Sequence, residues 1–158
     1  ALHKARHTAL HTGLPALADD SGVCVPALNG TPGVFSARYA SLFMPLLNPS
    51  LDKDTQNNLQ LREHLRGKAD RSAYYYCVLV LVRHAHDPQP MICDGQWWGQ
   101  LIEEPRGDGG FGYDPYFLIP ELGITVAQMD QVQKNELSHR GQAVQTLIKK
   151  LNNEYSHK

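Results

Sequence analysis

Cysteine is scarce in this chain, with Cys24, Cys77 and Cys93 the only three among 158 residues. An odd number, two of them inside apolar stretches, implies no disulfide framework and points to reduced core residues in a reducing compartment. An excess of charge is lacking too. Fifteen Lys and Arg stand against sixteen Asp and Glu, a formal net charge of −1 with the eight histidines neutral. With no basic stripe, a long nucleic-acid polymer is a poor partner, whereas a small anion needs only a few local positive groups. No apolar run approaches the ~20 residues of a spanning helix; the longest lies around Tyr74 to Val82. Nothing reads as a signal peptide, so a soluble cytoplasmic protein is expected, with no membrane partner. Also missing are a Ser-His-Asp order, a C-x-x-C pair and a Walker loop, which leaves acyl transfer, structural zinc and P-loop hydrolysis without support.

The length fits one domain over residues 1–158, burying about two-thirds of its unfolded surface. Ala1 opens without Met inside a helical pattern, so upstream residues are expected. Leu2, Ala5, Ala9 and Leu10 share a face of a helix closed by Gly13. His3, His7 and His11 line another face, where the spacing could chelate zinc but reads better as a solvated or partner-facing stripe. LPALADDSGVCVPALNG reads as strand, bulge or tight turn, then strand into the Asn29-Gly30 turn. Gly33 to Ala40 reads as a short irregular or helical segment. Ser41 to Ser50, with Pro45 and Pro49, reads as an apolar loop or insertion, and Asp52 or Asp54 caps a helix that Gly67 stops. Tyr74 to Val82 and Met91 to Glu103 form a central hairpin. Tyr116 to Ile119 is a short strand, and Val126 to Leu137 is weakly helical. Ser138 to Asn152 is a clear helix with Ala143, Val144, Leu147, Ile148 and Leu151 on one face. The fold class is α/β, a mixed sheet flanked by helices.

Three stretches carry chemistry. GDGGFGYDPY from Gly107 to Tyr116 matches G-x-G-x-x-G in spelling only, because Pro115 leads into a strand rather than a helix. It reads as a flexible loop presenting Phe111 for stacking on a flat ligand and Asp114 for a ring N–H, or else as a β-bulge loop with a core Phe. Asp19 and Asp20 are neighbours in an extended segment, so only one faces a given site. They are either a turn bonding nearby amides or a seat for a hard cation. His139 and Arg140 place positive groups at the positive end of a helix, either as an exposed pair pointing into water or as donors whose cost an anion or acceptor offsets. Lys134 adds a donor there, and Lys4 faces Asp20 or solvent.

LADDSGVCVPALNGTPGVFSARYA, GDGGFGYDPYF and QKNELSHRGQA, in this order and spacing, resemble the inosine triphosphate pyrophosphatase family, the XTP/dITP diphosphatases. The resemblance implies an elongated mixed sheet with a long cleft, a homodimer and Mg²⁺-dependent hydrolysis of deaminated purine triphosphates to monophosphate and pyrophosphate. It implies Asp20 as metal-linked general base, Ser21 beside it on the substrate, and Lys4 on the phosphates. Phe111, Gly112, Tyr113 and Asp114 would surround the base, with Lys134, His139 and Arg140 closing over the purine. The family's first strand and Ser/Thr-Asn-Lys phosphate turn precede the Ala1 position, so an incomplete chain is expected, and a non-catalytic nucleotide-binding or dimerisation module is the alternative.

Overall fold

The computed structural model describes residues 1–43 and 50–156. Helix α1 covers Leu2–Thr12 and ends at Gly13, whose φ of 69° only glycine adopts easily and whose N–H bonds the Ala9 carbonyl at 3.0 Å. Strand β1 (Ala16–Cys24), β2 (Ser72–Val82), β3 (Met91–Leu101), β4 (Phe117–Ile119) and β5 (Ile124–Thr125) form one sheet in the order β1-β2-β3-β4-β5. The β3–β4 and β4–β5 ladders are antiparallel, with Leu101 opposite Phe117 and Ile119 opposite Ile124. Helices α2 (Lys53–His64), α3 (Gln131–Leu137) and α4 (His139–Tyr155) complete the set. The α/β architecture is therefore as expected, and β2 and β3 are the expected hairpin. The bulge or turn within β1 is not: the strand runs unbroken through Asp19, Asp20, Ser21 and Gly22. Local turn chemistry loses because both carboxylates bond side chains on distant helices instead of nearby amides.

The chain forms two compact units, and β1, β2 and β3 each divide between them. The first comprises Ala1–Ser21, Tyr76–Gln96 and the chain from Asn135. In it, Ala5 and Ala9 of α1 pack with Ala16, Val80 and Val82, while Ala143 and Leu147 of α4 pack with Cys77, Leu79 and Cys93. Successive residues of a strand face opposite sides, so α1 and α4 cover opposite faces of β2. Gly95 permits the close approach of α4, since a Cβ there would lie 2.9 Å from the Ala143 nitrogen. Leu10, Val144 and Ile148, expected on the inward faces, are exposed. Each follows a buried residue by one position and is turned about 100° from it.

The second unit comprises Gly22–Tyr75 and Trp97–Lys134. Its core gathers Val23, Leu61, Tyr75, Trp97, Tyr113 and Phe117 among others, with the Tyr75 and Phe117 rings stacked at 4.3 Å. Asp52 caps α2 by accepting from the Thr55 N–H at 3.0 Å. The expected helix from Val126 is instead a 3-10 turn (Val126–Gln128) followed by α3, and Asp114–Tyr116 forms a 3-10 turn ahead of β4. Within the Ser41 to Ser50 segment, residues 44–49 lie outside the described residues.

Candidate functional site

The glycine loop belongs to the second unit and is built around Asp114. Its carboxylate is buried; Oδ1 accepts from the Tyr75 hydroxyl at 2.9 Å, and Oδ2 accepts from the Phe111 N–H at 3.0 Å and the Lys134 ammonium at 2.6 Å. Gly110, at φ 72°, has to be glycine because a Cβ would strike that carboxylate. Gly112 is held by α2 through both of the peptide groups that flank it. The Gly112 N–H donates to Asp54 Oδ2 and its carbonyl accepts from Asn58 Nδ2, each at 2.8 Å. The Tyr113 hydroxyl donates to the Ser36 carbonyl at 2.8 Å. The loop expected to be flexible is thus pinned at successive residues, and Asp54 and Asn58 were not legible as its partners.

Asp114 accepts from three donors of the chain itself and so positions the loop, and Tyr113 is a core side chain, 5% exposed. Burial raises both Tyr75 and Tyr113 above the ordinary phenol range, and the Asp114 charge raises Tyr75 further, so both stay protonated donors. Phe111 is what the loop offers outward. The residue is 69% exposed, and the Lys134 ammonium lies 5.1 Å from the centroid of its ring.

The first unit carries a second cluster. Lys4 donates to Asp20 Oδ1 at 2.9 Å from the α1 side of β1, and to the Asp19 carbonyl at 3.3 Å. Arg140 donates through Nε at 2.9 Å and Nη2 at 2.6 Å to Asp19 Oδ2 from the first turn of α4. The two adjacent carboxylates therefore serve different helices on opposite faces, as strand alternation requires. Asp20 and Lys4 remain about half exposed or more, at 50% and 59%. Ser21 is exposed beside them, and His139 is half-buried next to Arg140. Ser138 caps α4 by accepting from the Gly141 N–H at 3.1 Å. His3, His7 and His11 are exposed, the last two with rings 4.2 Å apart. Among the described residues no group of three or more His, Cys, Asp or Glu is placed to hold a metal ion.

In architecture the chain is of one kind with two solved α/β structures. It aligns with a HAM1 protein from Coxiella burnetii at a TM-score of 0.86 and 46% identity, over 97% of this chain and 75% of the other. With the Staphylococcus aureus Ham1 protein the TM-score is 0.82 at 35% identity, over 96% and 73%. More narrowly, the chain belongs to the Ham1 family, whose model matches residues 1–150. Among curated relatives, the dITP/XTP pyrophosphatase of Chromobacterium violaceum is 57% identical over 151 residues, 96% of this chain and 73% of the relative. That of Nitrosomonas europaea is likewise 57% identical, over 96% and 70%.

Proposed function

We propose that this chain hydrolyses dITP, XTP and ITP between the α and β phosphates, with Mg²⁺, to the monophosphate and pyrophosphate. An enzyme acting on acid anhydrides in nucleotide-pool sanitation is what its family and its 57% identity to dITP/XTP pyrophosphatases support. The observation that carries the chemistry is the Lys4–Asp20 pair, a half-exposed carboxylate hydrogen-bonded to Lys4 at Oδ1 and held at Oδ2 only by a looser ion pair with the Ala1 nitrogen at 3.7 Å. A carboxylate has a second oxygen to accept the proton of an attacking water. Lys4 fixes the orientation of that base and offers its other N–H groups to phosphate oxygens.

Asp20 also fits Mg²⁺, which takes one or two carboxylates and fills its shell with water and phosphate oxygens. When bound, the ion would neutralise developing phosphate charge and acidify the attacking water. Ser21 adds an exposed hydroxyl donor for the substrate. Phe111 stacks on the purine, while Gly112, Tyr113, Asp114 and Lys134 hold Phe111 in place. Arg140 donates to the 6-keto oxygen, with His139 as a second donor; the 6-amino group of adenine would bring a donor to a donor and leave both unsatisfied. The proposal extends to a cytoplasmic homodimer.

The test is pyrophosphate release from ITP by Asp20→Asn. The expected loss is about 10²–10⁴-fold, the range for a general base. Release within twofold of the wild-type rate would remove Asp20 from the chemistry.

A further inference from the structure

Asp19 has no part in the chemistry proposed above, yet it holds the residue assigned to the base. Its Oδ2 accepts from both Nε and Nη2 of Arg140. The two side chains are 40% and 53% exposed, so the pair lies at the surface of the first unit and neither residue is part of its core. On the same face burial, the largest effect, raises the Cys77 thiol above its ordinary value, as does the Asp19 charge, while Ser21 and Arg140 act to lower it.

Two physical facts give the pair its meaning. Arg140 sits in the first turn of α4, where the helix macrodipole disfavours a cation, and Asp19 supplies the offsetting anion. Asp19 takes two N–H groups along one edge of the guanidinium. A guanidinium is planar and has five, so N–H groups remain for a ligand in a direction set by that edge. Without the carboxylate, Arg140 would have to be ordered anew each time a ligand arrived.

We propose that Asp19 is a specificity-determining positioning residue, which fixes Arg140 so that its remaining donors meet a 6-keto purine. This rests on the reading of Arg140 given above. Asp19 touches no substrate itself, and its neighbour Asp20 faces the opposite helix, so the paired carboxylates divide base selection from proton transfer.

The experiment compares wild type, Asp19→Ala, Asp19→Glu, Arg140→Ala and the double variant Asp19→Ala/Arg140→Ala. It measures kcat/KM for ITP and ATP, and equilibrium affinities for IMP and AMP that do not depend on turnover. Asp19→Ala is expected to lower the preference for the keto purine about two- to tenfold, the range for ordering one long side chain, chiefly through KM. Asp19→Glu is expected to restore most of it, and Asp19→Ala to change nothing further once Arg140 is gone. An undiminished preference in Asp19→Ala, with Arg140→Ala losing it, would overturn the proposal. So would an equal loss in both backgrounds, the signature of a merely structural tie between β1 and α4. An undiminished preference in Arg140→Ala would instead remove the premise that Arg140 reads the base.

Discussion

Replacing Asp114 gives the sharpest quantitative test of the pinned loop, because two substitutions at that position separate charge from hydrogen bonding. In Asp114→Asn the amide can turn so that its oxygen meets Lys134 and the Phe111 N–H while its NH₂ donates to the Tyr75 hydroxyl, which accepts as readily as it donates. The charge is lost, and with it the Asp114 acceptor of the Tyr75 O–H. The Lys134 side chain is 18% exposed and so keeps some contact with water, and the expected loss is about 1–2 kcal/mol. Asp114→Ala offers no acceptor at all. It strands the buried Tyr75 hydroxyl and the Phe111 N–H, about 1–3 kcal/mol each, and leaves Lys134 beside an empty space as well. About 4–6 kcal/mol is expected, a large part of the roughly 5–15 kcal/mol by which a domain is stable. Urea unfolding of the wild type and both variants reads the differences directly. If Asp114→Ala unfolded within about 1 kcal/mol of wild type, or if the two variants were equally unstable, Asp114 would not be the hub of the loop.

Asn58→Ala removes the donor to the Gly112 carbonyl from the other side. It should raise KM for ITP with little change in kcat and destabilise by about 1–3 kcal/mol; an unchanged KM would mean that α2 does not set the loop. Asp87, buried at the β2–β3 turn, is held well below the ordinary carboxylate range, first by hydrogen bonds from the Arg83 side chain and backbone and then from Gln89. A depressed folded value means that its contribution is fully present above the unfolded value of about 3.9 and is lost as pH falls through the folded one. The gap in urea midpoint between wild type and Asp87→Asn should therefore narrow below about pH 5, and a gap constant down to pH 3 would contradict the sign.

The parts legible in the sequence were those specified by near neighbours. Gly13, Asp52 and Ser138 mark helix ends whose caps are made within four residues, and β2 and β3 carry strand composition along most of their lengths. The parts that escaped depend on partners far along the chain. Asp19, Asp20, Ser21 and Gly22 carry turn chemistry, but Lys4 and Arg140, 16 and 121 residues away from their carboxylate partners, draw them into a strand. Likewise the glycines from Gly107 to Gly112 spell flexibility locally, while Asp54 and Asn58, 58 and 54 residues from Gly112, hold its N–H and its carbonyl. Composition announces a loop that bends and says nothing about what it bends around.

Lys4 reaches Asp20 from a helix whose fully buried side chains are both alanines, Ala5 and Ala9. Alanine allows close approach but removes little apolar area from water, so α1 adheres weakly and belongs with the elements that open at low free energy. Each opening carries the ammonium away from the carboxylate. The pair exists only for the fraction of time that the helix is docked, and that fraction scales any affinity that depends on it.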